Sequence, residues 1–253
     1  MTFVKSLLVA LSTYSIVPVP QFEWNEKNMK YAICFFPVVG VLCGVALYGW
    51  YALSRWAGVS GVLFSAAAVC LPLLLTGGIH MDGFMDTVDA LASHQSRERK
   101  LEILKDSHIG AFAPIYLCIY LLLNFGLLHE IYQQGNVIDL LPVYVLSRAL
   151  SALCAVNLPN ARKSGMLCAY TKDTDRKKAT LAMAVLAGLC WAGLIALFWI
   201  PGILAVAASI LSVVYYRSMA MNQFGGVTGD TSGFFLQICE LAAIAGIWLG
   251  GLV

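Results

Sequence analysis

Residues 179–221 read ATLAMAVLAGLCWAGLIALFWIPGILAVAASILSVVYYRSMAM, and Arg217 is their single charged member. A helix needs about 20 apolar residues to cross the ~30 Å hydrocarbon core of a bilayer. The run is long enough for two crossings, 179–199 and 202–221, joined by the tight connection Trp199-Ile200-Pro201-Gly202. This stretch therefore predicts two consecutive membrane helices.

The rest of the chain has the same character. Of its 253 residues 60% are hydrophobic and 12% charged, against about 45–50% and about 25% in soluble domains. The net charge of +2 also argues against a nucleic-acid-binding chain. Five further apolar stretches bring the predicted spans to seven: 31–53, 59–79, 110–129, 138–157 and 234–253.

The N-terminal residues 2–19 are apolar as well, but they carry Lys5 and end at Pro18 and Pro20. We interpret them as an interfacial or re-entrant helix, with an eighth span as the alternative. The prediction is an all-α, polytopic integral membrane bundle of about seven transmembrane helices, formed by residues 1–253 as one domain.

Cations in the predicted loops are distributed unevenly. Arg55 alone falls on one side, and the other side carries thirteen Lys and Arg residues: Lys27, Lys30, Arg97, Arg99, Lys100, Lys105, Arg162, Lys163, Lys172, Arg176, Lys177, Lys178 and Arg217. Because short loops rich in Lys and Arg stay in the cytoplasm, this side should be cytoplasmic. We expect a multi-pass protein of the inner membrane, in contact with lipid.

An acidic motif follows the second predicted span, where residues 76–90 read TGGIHMDGFMDTVDA. In a helix, Asp82, Asp86 and Asp89 would lie within about 60° of one another on one face. Three carboxylates repel one another unless a divalent cation neutralises them, and oxygen ligands suit Mg²⁺, or alternatively Mn²⁺. The alternative is a solvated acidic loop end. His80 is a candidate general base or an interfacial histidine.

A glycine-rich motif, GGVTGDTSG, occupies residues 225–233 on the same predicted side. Gly225, Gly226 and Gly229 permit positive φ, so that successive N–H groups around Thr228 could form an anion-binding nest. Asp230 could supply a further metal ligand. The alternative is a flexible loop.

Two further polar features accompany these motifs. Residues 100–110, KLEILKDSHIG, lead into the third span, and their cations suit either a diphosphate or anionic lipid. Arg148 is the one cation near the middle of a predicted span, and Glu240 lies at a similar depth in the last span. Such a residue is either functional or paired. Phosphate recognition by Arg148 and an Arg148–Glu240 ion pair both remain open.

These motifs together resemble the signature of the cobalamin synthase (adenosylcobinamide-GDP ribazoletransferase) family, over nearly the whole chain. The matching positions are Gly77, Gly78, His80, Asp82, Gly83, Asp86, Thr87 and Asp89; Lys105, Asp106, Ser107 and Gly110; and Gly225, Gly226, Thr228, Gly229 and Asp230. The sequence departs from the family's pattern at Ala90, where glycine is usual, and at His108, where arginine is common.

The resemblance implies the last assembly step of coenzyme B12. A hydroxyl of α-ribazole, or of its 5′-phosphate, attacks the cobinamide-side phosphorus of adenosylcobinamide-GDP, and GMP leaves. Asp82, Asp86, Asp89 and Asp230 would hold Mg²⁺, with His80, Asp82 and Asp86 catalytic. The substrate-binding residues would be Gly77, Gly78, Lys105, Asp106, Ser107, Arg148, Gly225, Gly226, Thr228 and Gly229. Docking of other enzymes of the pathway and an oligomeric state are left open.

Two other classes would use similar residues. A CDP-alcohol type phosphotransferase relies on the same metal chemistry, but its usual D-G-x-x-A-R pattern has Asp86 near the A-R position here. A divalent-ion transporter is expected to carry its acids near the middle of the bilayer on broken helices, whereas these acids lie at predicted helix ends.

Overall fold

The structure is a computed structural model that describes residues 2–106 and 108–253, which form an all-helical bundle. The α-helices in chain order are α1 (Thr2–Tyr14), α2 (Glu26–Met29), α3 (Phe36–Ala57), α4 (Gly61–Leu75), α5 (Ile79–Ala92), α6 (Arg97–Ile103), α7 (Phe112–Gln134), α8 (Leu141–Asn157), α9 (Met166–Lys172), α10 (Arg176–Met219) and α11 (Gly229–Gly250). Short 3₁₀ turns precede α3 and α8, and a π-helical turn, Ala220–Phe224, follows α10.

The prediction of a polytopic membrane bundle is confirmed. Five helical stretches of the described chain are long and apolar enough to cross a bilayer: Glu26–Ala57, Phe112–Gln134, Val137–Asn157, Arg176–Phe224 and Gly229–Gly250. A sixth is added if α4 and α5, which meet at 93°, count as one broken span. At 13 residues, or about 20 Å, α1 is too short to cross by itself.

The long helix α10 reverses direction at Trp199, whose backbone is non-helical with φ 46° and ψ −114°. Trp191 Nε1 donates to Ser209 Oγ at 3.0 Å, so that the two halves run antiparallel beside each other. Gly202 meets the Leu194 carbonyl so closely that no side chain fits between them. The two consecutive helices predicted for 179–221 are therefore present as a hairpin.

Small residues let the central helices approach one another. The backbone of Tyr144 in α8 lies against Gly40 of α3, and Leu204 and Ala205 of α10 lie against Gly246 of α11. Without a hydrophobic driving force between helices in lipid, such close backbone contact is a main source of packing energy. It makes α8 and α11 the buried centre of the bundle.

The two ends of the bundle differ. At one end the turns are tight, and Gly251 of the C-terminus packs against Gln134 and Asn136 after α7. At the other end lie the longer connections, the whole of α5 and the start of α11. Since α5 turns by 93° from α4, it lies across this end, beside the starts of α7 and α11. Both sequence motifs are found there.

Candidate active site at one end of the bundle

The bend between α4 and α5 is made by the first two glycines of the acidic motif. Gly77 and Gly78 adopt φ values of 62° and 76°, a left-handed conformation that side chains disfavour. The Thr76 hydroxyl donates to the Pro72 carbonyl at 2.8 Å and closes the end of α4. The structure thus gives the two glycines, predicted to bind substrate, a role in directing α5 across the bundle.

The next glycine of the motif joins α5 to α11. A Cβ on Gly83 would lie 2.7 Å from the Asp230 carbonyl oxygen, and one on Gly233 would lie 2.8 Å from the His80 carbonyl oxygen. Beside this crossing the rings of Phe84 and Phe234 stack, with centroids 5.6 Å apart. The absence of side chains at two glycines therefore brings the acidic and glycine-rich motifs into direct contact.

Three carboxylates gather around this crossing. Asp82 and Asp230 line the same cavity, and Asp86 lies one turn further along α5, half-buried. Burial, and then the charges of Asp82, Asp230 and Asp89, raises the pKa of the Asp86 carboxyl to about 7. The cluster therefore carries unbalanced negative charge.

The donor set of this cluster fits a hard divalent cation, because Asp82, Asp86 and Asp230 offer carboxylate oxygens only. Within residues 2–106 and 108–253, however, no three His, Cys, Asp or Glu side chains lie close enough together to hold a metal ion as they stand. Cation binding would thus require the carboxylates to draw together, and the charge of the cation would offset their mutual repulsion.

Asp89 has a different environment from the one predicted. Its Oδ2 accepts from the Gly110 N–H at 2.7 Å, and its Oδ1 accepts from Phe112 and Ala113 N–H at 3.1 and 2.9 Å. The carboxylate thereby satisfies free donors at the start of α7, in the manner of a cap supplied from another helix. Because both of its oxygens already accept hydrogen bonds, Asp89 is less available to a cation than Asp82, Asp86 and Asp230.

His80 is buried, 6% exposed, and its Nε2 has no hydrogen-bond partner. Its ring packs against Tyr14 and Phe36, with centroids 5.9 and 5.4 Å away. Burial, assisted by the charge of Arg148, lowers the pKa of the imidazole to about 3. A neutral imidazole with so low a pKa is a poor proton acceptor, but it remains a hydrogen-bonding group in the wall of the cavity.

The glycine-rich loop does not form the predicted anion nest. The N–H groups of Gly225, Gly226 and Val227 donate instead to the carbonyls of Met221, Ala220 and Pro159, at 3.2, 3.1 and 2.8 Å. Gly225 and Gly226, with φ of 76° and 157°, are needed for the turn itself. The nest is absent because these donors are already paired with carbonyls outside the loop.

The start of α11 supplies donors in place of the nest. Thr228 caps the helix by accepting from Thr231 N–H at 3.1 Å, and the Thr231 hydroxyl accepts from Thr228 N–H at 2.9 Å. The first-turn residues Gly229 and Asp230 line the cavity. First-turn N–H groups have no partner within a helix, so this terminus can receive an anion.

The segment before α7 is only partly associated with the site. The Asp106 carboxylate accepts from the His108 backbone N–H at 3.0 Å and pairs with the His108 ring at 2.6 Å, contacts that lower the pKa of the carboxyl. It lines an open cavity together with Asp86 and Asp89. Lys105 is exposed and lines none of the cavities described here, and Ser107 lies outside the described residues.

Arg148 does not reach the cavity. The guanidinium is buried in α8, forms an ion pair with Glu240 of α11 and donates to the Tyr144 carbonyl at 3.1 Å. Ser147 Oγ donates to the same Glu240 carboxylate at 2.9 Å. Of the two alternatives for Arg148, this geometry supports the structural ion pair, because both charges already have partners.

Sequence reasoning missed Arg162, which it counted only as a loop cation. Nη1 of Arg162 lies 3.2 Å from Asp230 Oδ2, and Nη2 donates to the Leu101 carbonyl at 3.3 Å. The loop is held in place because Ala161 N–H donates to the Val227 carbonyl at 2.9 Å. No motif in the sequence distinguishes Arg162 from its neighbours, since its partner is 68 positions away along the chain.

Comparison with known proteins gives one consistent result. A family model described as cobalamin-5-phosphate synthase matches residues 6–248. A protein of Lachnoclostridium phytofermentans named adenosylcobinamide-GDP ribazoletransferase is 37% identical, with 96% of this chain and 93% of that protein covered. Proteins of the same name from Clostridium botulinum and Desulfitobacterium hafniense are 32% and 33% identical, with at least 95% of each chain covered. No solved structure matches the chain.

Proposed function

Because the chain belongs to the cobalamin-5-phosphate synthase family, we propose that it is an adenosylcobinamide-GDP ribazoletransferase. A ribose hydroxyl of α-ribazole, or of its 5′-phosphate, forms a bond to the cobinamide-side phosphorus. The bond from that phosphorus to GMP breaks, and the hydroxyl proton passes to a base. The supporting observation is the α5–α11 crossing, which brings both motifs of the family to one cavity.

The proposed roles follow from the surroundings of each residue. Asp82, Asp86 and Asp230 would hold Mg²⁺, or alternatively Mn²⁺, which supplies the positive charge that a diphosphate needs on cleavage. Arg162, beside Asp230, and the first turn of α11 would neutralise the remaining phosphate charge.

The proton has two candidate acceptors in this site. The low pKa of His80 suits a hydrogen bond that orients the acceptor hydroxyl better than it suits proton transfer. A free carboxylate oxygen of the Asp82–Asp86 cluster is the other candidate. The site end would face the cytoplasm, where the cation-rich loops are expected to lie.

The test measures the stoichiometry of the reaction when the protein, reconstituted in lipid nanodiscs, is mixed with adenosylcobinamide-GDP, α-ribazole and Mg²⁺. We expect one GMP released for each new corrinoid phosphodiester, detected by chromatography and mass spectrometry, and no product when EDTA is added. Release of GMP without a new phosphodiester would mean hydrolysis and would contradict the proposal. Full turnover in EDTA would show that the reaction does not need a metal ion and would contradict that part of the proposal.

A further inference from the structure

The cavity lined by Asp82 and Asp230 has two chemically different walls. It measures about 170 Å³ and is enclosed by α1, α3, α5, α8, α9 and α11. Asp82, Asp230 and His80 line one wall, whereas Tyr14, Phe36 and Leu167 contribute to an apolar one. Enzymes typically use such cavities to hold an apolar group in place beside the reacting polar groups.

Two aromatic rings, Tyr14 and Phe36, form part of the apolar wall beside aliphatic side chains such as Ile33 and Leu167. Tyr14 and Phe36 lie with centroids 4.5 Å apart, and His80 packs against both of them. A flat aromatic ligand gains stacking energy on such a surface in addition to the energy of burial. The wall therefore favours a planar aromatic group.

The position of Tyr14, the last residue of α1, is fixed from the opposite side. Tyr170 of α9 donates its hydroxyl to Thr13 Oγ1 at 2.9 Å and lies 3.2 Å from the Val9 carbonyl. The chain beyond α1 is also attached, because Ile16 N–H donates to the Leu75 carbonyl at 2.9 Å. The end of α1 is thus a built part of the cavity wall.

We propose that this cavity binds the aromatic base of the nucleoside acceptor, α-ribazole, and that Tyr14 and Phe36 determine which bases are accepted. The inference deepens the proposed function and rests on it. A benzimidazole base is flat and has no exocyclic amino or carbonyl group. Its one free ring nitrogen lies on the imidazole side, so its benzo edge leaves no polar atom unpaired against Ile33, Phe36 and Leu167.

The two other large groups of the substrates fit this cavity poorly. Guanine would place its amide and amino edge against apolar side chains, which is costly for unpaired polar groups. A corrin ring is too large for a cavity below the ~300 Å³ typical of ligand pockets. With the base on the aromatic wall, the ribose is directed towards Asp82 and Asp230, beside the expected phosphates.

The experiment compares Tyr14→Leu with Phe3→Leu, a matched change on the same helix. Phe3 is 61% exposed and stacks on Tyr31, away from the cavity. We expect Tyr14→Leu to raise the KM for α-ribazole and its Kd by calorimetry about tenfold through lost stacking. The KM for adenosylcobinamide-GDP should change less than twofold, and Phe3→Leu should change neither constant.

A second variant fills the cavity. Ala155→Leu adds bulk to its wall from α8, and binding of adenosylcobinamide-GDP reports whether this variant is folded. We expect α-ribazole binding to be lost while adenosylcobinamide-GDP still binds.

Two results would overturn the inference: an unchanged Kd for α-ribazole in both cavity variants, or a rise confined to the constants for adenosylcobinamide-GDP, which would place guanosine in the cavity. If the wild-type protein forms no corrinoid phosphodiester, the proposed function fails instead. Calorimetry still reports on the cavity in that case.

Discussion

Asp86 and Asp89 are one helical turn apart, and the fold gives them opposite surroundings. Asp86 is crowded by other carboxylates, whereas Asp89 accepts three backbone N–H groups from the start of α7. The spacing in the sequence predicts one shared face but cannot show that difference. The partners of Asp89 lie 21–24 residues later, at the start of α7, whose position beside α5 depends on the tertiary structure.

Asp86→Asn should raise the denaturation temperature in EDTA, because it removes a charge that its neighbours repel. The same variant should lose turnover, and it should also lose the stabilisation by Mg²⁺ that we expect for the wild type. Thermal denaturation followed by tryptophan fluorescence, with and without Mg²⁺, measures both effects. A normal Mg²⁺ response in this variant would remove Asp86 from the metal ligands.

Asp89→Ala should behave in the reverse way. Loss of three hydrogen bonds at the start of α7 should destabilise the protein by about 1–3 kcal/mol. The increase in denaturation temperature on adding Mg²⁺ should persist. The same fluorescence measurement serves here, and a vanished Mg²⁺ response would restore Asp89 to the metal site.

Arg148→Met should lower the free energy of unfolding by about 3–5 kcal/mol, because Glu240 is left as an unpaired buried charge. The double change Arg148→Met with Glu240→Leu should recover most of this loss and retain activity. Denaturation in detergent and GMP release are the two measurements. A stable but inactive double variant would show that Arg148 acts on the substrate.

At the scale of the elements, the spans are predictable and their junctions are less so. Hydropathy locates the helices within a few residues, and Trp199-Ile200-Pro201-Gly202 indicates the α10 hairpin. The 93° bend at Gly77 and Gly78 was not predicted, because glycine pairs permit many turns and packing selects one. For the same reason, the sequence did not show that the N–H groups of Gly225, Gly226 and Val227 donate to backbone carbonyls.

The α5–α11 crossing gives a prediction at this scale. Gly83→Ala introduces a methyl group 2.7 Å from backbone atoms of Asp230, which cannot move independently of α11. We expect kcat to fall about tenfold or more as the two motifs separate, since small displacements of catalytic groups are costly. Gly126→Ala on α7, where nothing lies within 4 Å, is the control and should keep full activity. Equal activity of both variants would mean that the close approach is not needed.

The whole molecule is polarised from end to end. Both motifs and the longer connections share one end, and the C-terminus shares the other with the end of α7. The sequence predicts this difference between the two ends through its cations, but it gives no information on which loop contacts which motif. The contact of Arg162 with Asp230 is an example, since it could not be predicted from the sequence.

Cysteine labelling tests the orientation of the molecule. In a cysteine-free background, an impermeant maleimide applied to intact cells should reach a cysteine at Gln133 or after Val253. It should miss one at Gln95 or Lys172 until the membrane is opened. All of these named side chains are exposed at their respective ends. Labelling of a cysteine at Lys172 in intact cells would show that the orientation is the opposite one and that the site lies outside the cytoplasm.

The buried Arg148–Glu240 pair also imposes an order on biogenesis. Arg148 leaves the ribosome 92 residues ahead of Glu240, which at about 5–20 residues per second is a delay of about 5–18 s. During that interval its guanidinium has partners on its own helix, the Tyr144 carbonyl and the Ser147 hydroxyl, each at 3.1 Å. α8 can therefore enter the bilayer with its charge partly satisfied, and it gains a carboxylate beside those contacts when α11 arrives.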